Sequence, residues 1–261
     1  MTYKRPKPSG RRKRLPTLST GLLACPSGLA ARHGRKLVKN AGSQSPLRRE
    51  IWCILSMVTR IQVRLRAAAA ICGLALFAAI AVPATRGRTI AFDLPMRRAI
   101  HACASPALTA FMQAITAIGS EYFLVPLAAI LVWRWLRRGE RRSAYLLVVG
   151  SLSAEAVAQL CKALIHRPRP EVFFGLVNAR TYSFPSGHAF VPAVYFGILA
   201  GIFAAKARWR AAVVVVAALL GFSRVYLGYH YASDVVAGWA LAVVWLALWS
   251  IVAARRAASP V

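Results

Sequence analysis

The sequence has few acidic residues, with 7 Asp and Glu against 35 Lys and Arg in 261 residues and a formal net charge of +28. Such an imbalance indicates an anionic partner, either nucleic acid or a membrane surface. In a membrane protein it has a simpler explanation, because basic loops stay on the cytoplasmic side. We favour that explanation and predict no nucleic-acid partner, since no aromatic residues alternate with the basic residues near the N-terminus.

Cysteine is also scarce and irregularly placed. The five cysteines are Cys25, Cys53, Cys72, Cys103 and Cys161. Their number is odd, their spacings are irregular and no CxxC pair occurs. The sequence therefore indicates neither a disulfide framework nor a zinc site.

Apolar residues are abundant: 58% of the chain is hydrophobic and the mean hydropathy is +0.52. This composition is typical of a polytopic membrane protein rather than of a soluble domain. Residues 1–56 differ, because seven basic residues crowd the first 14 positions and no apolar period is sustained. We interpret 1–56 as a disordered basic leader or a start codon chosen too far upstream, and 57–261 as the membrane domain.

The apolar runs predict an all-α bundle of six transmembrane helices, because a span in lipid must satisfy its own backbone groups. The expected spans are Ala67–Ala84, about Gly119–Trp135, about Ser143–Ile165, His188 to about Ala205, about Ala211–Gly228 and about Asp234–Ala254. Thr85 to about Pro106 is a polar connection that we expect to hold a short interfacial helix.

Basic loops predict the orientation of this bundle. Cations crowd the loop after the second span, at Arg137, Arg138, Arg141 and Arg142, and the loop after the fourth, at Lys206, Arg208 and Arg210. The positive-inside rule places these loops and both termini in the cytoplasm. Four arginines between Arg86 and Arg98 lie on the other side and weaken this bias.

Three polar clusters interrupt the apolar runs, and the third contains a histidine–carboxylate pair. Ser223 and Arg224 are followed after five residues by His230 and after three more by Asp234. At a spacing of four on a helix, Asp234 can hold one ring nitrogen of His230 and leave the other free to attack. The guanidinium of Arg224 fits phosphate oxygens.

The first two clusters supply cations and a helix start. Lys162 is followed after six residues by Arg169 and Pro170. In Pro185-Ser186-Gly187-His188, Ser186 is a suitable N-cap and Gly187 allows close approach of a ligand. Helix N-termini favour anions, and His188 in the first turn is placed to donate a proton. The clusters together predict a pocket for a tetrahedral anion, without a set of metal ligands.

These three clusters, in this order and spacing, resemble the signature of the type 2 phosphatidic acid phosphatase and haloperoxidase superfamily. The resemblance extends from about Met57 to the C-terminus. It implies a membrane phosphatase in which His230 is the nucleophile, Asp234 orients it and His188 is the general acid and base. The residues that it implies for phosphate binding are Lys162, Arg169, Ser186, Gly187 and Arg224. No cofactor and no metal are implied.

The expected substrate is a membrane lipid phosphate or diphosphate. Undecaprenyl diphosphate is favoured over phosphatidylglycerol phosphate, phosphatidic acid and a lipid A phosphate. The site is expected to face the periplasm or exterior of a bacterial plasma membrane. The alternatives are a vanadate-dependent haloperoxidase and a non-catalytic lipid-binding membrane protein.

Three further polar residues have open roles, and the oligomeric state is not predicted. His166 lies at a free position of the first cluster. Glu155 shares a helix face with Gln159 and Lys162, where it either pairs with Lys162 or another cation or lines a cavity. Glu121 opens the second span on the outer side, near the expected substrate headgroup.

Overall fold

The structure is a computed structural model that describes the backbone of residues 46–174, 176, 181–203 and 207–258, and side chains between residues 61 and 251 of these ranges. Regular structure in the described residues is entirely helical, which confirms the all-α class. The helices are α1 (Pro46–Thr85), α2 (Asp93–Ala102), α3 (Pro106–Ile118), α4 (Glu121–Arg137), α5 (Arg141–Ile165), α6 (Gly187–Ile202), α7 (Ala207–Tyr226) and α8 (Ala232–Ala258).

Four described helical segments are long and apolar enough to cross a membrane. They are Ile61–Thr85, Arg141–Ile165, Ala207–Tyr226 and Ala232–Ile251. α3 and α4 qualify together as a fifth span that is bent by 41°. α6 is apolar but has only 16 residues. The membrane class is thus confirmed, with four or five spans, and the count of six stays a prediction.

The connection between the first two expected spans contains more helix than the sequence predicted. The expected interfacial helix is α2. The sequence analysis assigned no helix to the residues of α3, which lies directly before α4. Its start signals are local: Ser105 Oγ accepts a hydrogen bond from the Leu108 N–H at 3.3 Å, and Pro106 occupies the first turn.

Residues 1–45 of the predicted leader, together with Lys206, lie outside the described residues. α1 begins at Pro46, inside the segment interpreted as a leader. Residues 57–261 form one compact unit. The boundary between leader and membrane domain stays a prediction.

α6 is the central helix of this unit and packs against α5, α7 and α8. Its contact with α5 joins small to large side chains: Ala154 and Ala158 of α5 belong to the same buried cluster as Phe190 and Val194 of α6. All four are fully buried. Small residues allow helix backbones to approach closely, which is how helices associate in lipid.

α8 approaches the first turn of α6 closely at Gly238. A Cβ atom added there would lie 2.9 Å from the Ser186 carbonyl oxygen and 3.1 Å from Ala189 Cβ. The backbone N–H of Ser186 donates to the Asp234 carbonyl oxygen at 3.1 Å. The N-termini of α6 and α8 therefore meet at one end of the bundle, together with the C-termini of α5 and α7. All three polar clusters lie at this end.

We expect Gly238→Ala to lower both thermal stability and turnover, because its methyl group must push α8 away from Ser186. Overpacking of this kind costs about 1–3 kcal/mol. The matched control is Gly201→Ala, since a Cβ atom at Gly201 meets nothing within 4 Å. Thermal unfolding in detergent and phosphate release would measure both effects. Equal behaviour of the two variants would contradict the assigned contact.

Candidate active site

His230 lies in the turn between α7 and α8, Asp234 lies in the first turn of α8, and both are buried. Asp234 is the third residue of α8, and its Oδ2 accepts a hydrogen bond from the Tyr231 N–H at 3.0 Å, as an acidic residue at this position does in a capping box. The same Oδ2 lies 3.6 Å from His230 Nδ1. Asp234 therefore caps α8 and faces the imidazole with the same carboxylate oxygen, Oδ2.

The other ring nitrogen of His230 faces a cation. Arg169 Nη1 lies 3.1 Å from His230 Nε2, which accepts when Nδ1 carries the proton toward Asp234. Burial lowers the pKa of His230 to about 4; the Asp234 carboxylate opposes this shift, and Arg169 adds to it. The imidazole is therefore neutral at neutral pH, as a nucleophile must be.

Arg169 is held in place by backbone and side-chain acceptors. Its Nε donates to the Thr181 carbonyl at 2.7 Å, Nη2 to Thr181 Oγ1 at 2.9 Å and Nη1 to the Tyr229 carbonyl at 3.0 Å. No described acidic side chain neutralises it by an ion pair. Its charge is directed at the space beside His230 Nε2.

The start of α6 supplies the second wall of the site. Ser186 is the N-cap residue, as predicted, but its side chain makes no capping hydrogen bond. Its Oγ is buried and has no hydrogen-bond partner among the described residues. Gly187 follows, and a Cβ atom there would lie 3.7 Å from Lys162 Nζ. A helix N-terminus, an unpaired hydroxyl and an ammonium group therefore lie together, and such an arrangement favours an anion.

Arg224, in the last turn of α7, is the third cation. Its Nη1 donates to Thr116 Oγ1 at 2.9 Å, and its guanidinium lies 4.0 Å from the centre of the Tyr229 ring. Its Nε is buried without a hydrogen-bond partner among the described residues. An N–H group left unpaired in this way is available to an oxygen of a bound anion.

His188, in the first turn of α6, is the last of the predicted site residues. It interacts electrostatically with Arg224, His230, Lys162 and Arg169. The structure thus brings all eight predicted site residues to one end of the bundle. Their catalytic and binding roles remain predictions.

Comparison with known proteins shows the family to which the chain belongs. The sequence model of the PAP2 superfamily matches residues 143–257. Phosphatidylglycerophosphatase B of Bacillus subtilis (strain 168) is 31% identical over 147 residues, which are 53% of this chain and 72% of that protein. The chain belongs to the PAP2 superfamily. The resemblance inferred from the three clusters is therefore confirmed.

One further relative of this PAP2 protein and one solved structure also carry the names of lipid phosphatases. The undecaprenyl-diphosphatase of Sulfolobus acidocaldarius is 27% identical, over 63% of this chain and 79% of that protein. The crystal structure of a transmembrane PAP2-type phosphatidylglycerolphosphate phosphatase from Bacillus subtilis is 28% identical, with a TM-score of 0.62, and covers 70% of this chain and 96% of that one. These relatives confirm the prediction of a lipid phosphatase.

A buried network that the sequence did not predict lies behind His230 of this PAP2 protein. The guanidinium of Arg167 donates from Nη2 to Asp93 Oδ2 at 2.8 Å, and from Nη1 to Asp234 Oδ1. The exposed fractions are 1% for Arg167 and 0% for both carboxylates. Ser183 Oγ donates to Asp234 Oδ2. Arg167 therefore binds one carboxylate oxygen of Asp234, Oδ1. The other, Oδ2, accepts from Ser183 and faces His230.

Asp93, the first residue of α2, closes this network. Its carboxylate accepts from the Ser233 N–H at 2.9 Å, Ser233 Oγ at 2.7 Å and the Ile90 N–H at 2.9 Å. Two signals in the sequence point to it in retrospect. Asp93 is one of only seven acidic residues, and Arg167 repeats the Arg-Pro pair of Arg169. Neither signal shows that the two residues meet across 74 positions of the chain.

The three residues with open roles, His166, Glu155 and Glu121, are all exposed. The His166 ring packs edge-on against Tyr182, with 4.6 Å between ring centres. Glu155 is exposed and accepts a hydrogen bond from Gln159 Nε2, so it is not a buried partner of a cation, although it interacts electrostatically with Lys162. Glu121 is exposed at the start of α4.

We expect Asp93→Asn to reduce kcat, with a smaller change in KM, and to lower stability. The amide keeps the shape but leaves the buried Arg167 with one carboxylate, and breaking a buried ion pair costs about 3–5 kcal/mol. Arg167 then draws Asp234 away from His230. Steady-state kinetics and thermal unfolding would measure these effects.

The matched control for this prediction is Glu140→Gln, the same chemical change at an exposed carboxylate before α5. It is expected to behave as the wild type does. An Asp93→Asn protein with reduced stability and wild-type kcat would show that Asp93 stabilises the fold without positioning His230.

Proposed function

We propose that this lipid phosphatase hydrolyses a polyprenyl diphosphate, with undecaprenyl diphosphate as the leading candidate, through a phosphohistidine on His230 and without metal or cofactor. One observation carries the mechanism. His230 presents Nε2 to Arg169 Nη1 at 3.1 Å, while Nδ1 faces Asp234 at 3.6 Å. The proposed nucleophile, Nε2 of His230, and the proposed phosphate-binding cation, Arg169, are therefore adjacent, so that a phosphate group bound by Arg169 lies within reach of Nε2.

In the first half-reaction, Nε2 of His230 attacks the terminal phosphorus and the bond to the leaving oxygen breaks. The proton on Nδ1 stays directed at Asp234, whose negative charge stabilises the cationic ring. His188 gives a proton to the leaving oxygen. Lys162, Arg169 and Arg224, with Ser186 and the Gly187 N–H, bind the remaining phosphorus oxygens, over which charge spreads in the transition state.

In the second half-reaction, His188, now without that proton, takes one from water. The resulting hydroxide attacks the phosphorus, the P–N bond breaks and inorganic phosphate is released. His230 returns to the neutral state that its low pKa favours. Each histidine thus ends the cycle with the protons that it had at the start.

The named relatives support two classes of lipid substrate. Undecaprenyl-diphosphatase of Sulfolobus acidocaldarius supports a polyprenyl diphosphate. Phosphatidylglycerol phosphate is a second candidate, supported by the 31% identity to phosphatidylglycerophosphatase B. Phosphatidic acid and a lipid A phosphate present similar terminal phosphates. The relatives and the apolar spans favour phosphatase activity over haloperoxidase activity, and the buried His230–Asp234 pair disfavours a lipid-binding protein without catalysis.

For the architecture, we propose six spans, carried by residues 57–261. They are α1, the bent pair α3 and α4, α5, α6, α7 and α8. α6 is about 24 Å long at 1.5 Å per residue, somewhat short of a hydrocarbon core of about 30 Å. We also propose that residues 1–56 are dispensable for activity.

The test of the function is phosphate release from purified protein on four lipids, with EDTA present. The lipids are undecaprenyl diphosphate, phosphatidylglycerol phosphate, phosphatidic acid and a lipid A 1-phosphate. We expect the highest kcat/KM for undecaprenyl diphosphate. A preference for phosphatidylglycerol phosphate would replace the leading substrate, and loss of all activity in EDTA would contradict the mechanism.

The control for the mechanism is His230→Ala, which we expect to abolish turnover because no nucleophile remains. Labelled substrate should leave acid-labile phosphate on the wild type and none on His230→Ala. Asp234→Asn should be less severely affected, because the amide keeps part of the geometry and loses the charge. Wild-type turnover in His230→Ala would refute the assignment.

We further propose that the site faces the exterior of a bacterial plasma membrane and that both termini are cytoplasmic. The support is the Arg-dense segment between α4 and α5, which lies at the end of α5 opposite Lys162 and is difficult to translocate. A diphosphate carrier lipid released by wall synthesis would present its head group on that outer face. The four arginines between Arg86 and Arg98 are the opposing observation.

Single cysteines in a cysteine-free background test this orientation. Thr89→Cys, before α2, and Glu140→Cys, before α5, are both exposed positions. We expect an impermeant maleimide, applied to cells with any outer membrane permeabilised, to label position 89 and spare position 140. Lysed cells, in which both positions should react, provide the control. The reverse pattern would place the site in the cytoplasm.

A further inference from the structure

A second cleft lies at the end of the bundle opposite the candidate active site. Its volume is about 580 Å³, and it is bounded by α1, α5, α6 and α8. Arg142 lies at the start of α5, whereas Lys162 lies near its end. Gly201 lies at the end of α6, whereas His188 lies at its start. The cleft is therefore separated from the phosphate site by the length of these helices.

The lining of this cleft is amphipathic. Arg66 of α1 and Arg142 of α5 contribute two guanidinium groups, and Ser143 and Ser250 contribute hydroxyls. Both arginines are exposed. Guanidinium groups bind phosphate oxygens through paired N–H donors. The polar part of the cleft therefore suits a phosphate group.

The remaining wall is hydrocarbon. Leu146, Ile198, Ile202 and Leu246 line the same cleft. Gly201 leaves room here, since a Cβ atom added to it meets nothing within 4 Å. A free phosphate ion has no apolar surface to bury against this wall, whereas the acyl chain of a lipid does.

We propose that this cleft binds an anionic phospholipid, with its phosphate at Arg66 and Arg142 and an acyl chain along Ile198 and Leu246. Basic pockets between transmembrane helices at the cytoplasmic side are known to bind anionic head groups. The cleft lies at the same end as the Arg-dense segment 137–142. The bound lipid would join α1 to α5, α6 and α8.

The test compares the thermal unfolding of the detergent-solubilised full chain with added phosphatidylglycerol or phosphatidylcholine of identical acyl chains. We expect phosphatidylglycerol alone to raise the unfolding temperature in a saturable way. Arg66→Gln and Arg142→Gln should each weaken its apparent affinity about fivefold, because a basic residue near an anionic lipid contributes about that factor. Gly201→Leu should also weaken it by filling the cleft.

Matched controls separate the cleft from general surface charge. Arg138→Gln removes an exposed cation that does not line the cleft, and Ala75→Leu places a leucine at an exposed position of α1 that does not line it either. Both are expected to keep the wild-type response. Turnover of a water-soluble phosphate ester by each of these variants shows whether it is folded.

Three results would overturn the proposal. An equal loss in Arg138→Gln and Arg142→Gln would indicate nonspecific charge. Equal stabilisation by inorganic phosphate would indicate a site for the free anion. Loss of the response in Arg169→Gln, with retention in the Arg66→Gln and Arg142→Gln variants, would indicate that the lipid binds at the candidate active site.

Discussion

The candidate active site depends on the buried interaction of Arg167 with Asp93 and Asp234. Burying three charges is expensive unless each is paired and hydrogen-bonded. Here the two carboxylates flank one guanidinium, and hydroxyl and backbone N–H groups satisfy most of the remaining acceptor positions. The interaction ties α2 and the segment after α5 to the start of α8. The orientation of His230 follows from this arrangement.

The scarcity of acidic residues has a chemical consequence at the site. Two of the seven carboxylates are used by Arg167, which leaves Lys162, Arg169 and Arg224 without an ion-pair partner among the described residues. Neutral groups hold two of these cations: Thr181 and the Tyr229 carbonyl bind Arg169, and Thr116 binds Arg224. A phosphate group can then supply the missing negative charge.

Close packing of α8 against α6 determines which groups lie beside the cations Lys162, Arg169 and Arg224. Gly238 lets α8 approach the first turn of α6, and the Ser186 N–H bonds to the Asp234 carbonyl. Two helix N-termini are thereby brought together beside the cations, and both favour negative charge. At the opposite end of the bundle, Arg66 and Arg142 line an amphipathic cleft. One end of the bundle thus offers an anion helix N-termini and these cations, and the other offers exposed arginines beside an apolar wall.

The sequence by itself determined the helical membrane class and the eight candidate site residues, because hydropathy and motif spacing are local properties of the chain. It also placed Ser186 at a helix start, but not its uncapped hydroxyl, which depends on the surrounding packing. Only the tertiary structure decided that Arg167 pairs with Asp93 across 74 residues, that α3 precedes α4 as a bent pair, and that Glu155 faces outward. These features depend on contacts between distant segments, and no period or spacing within one segment records them.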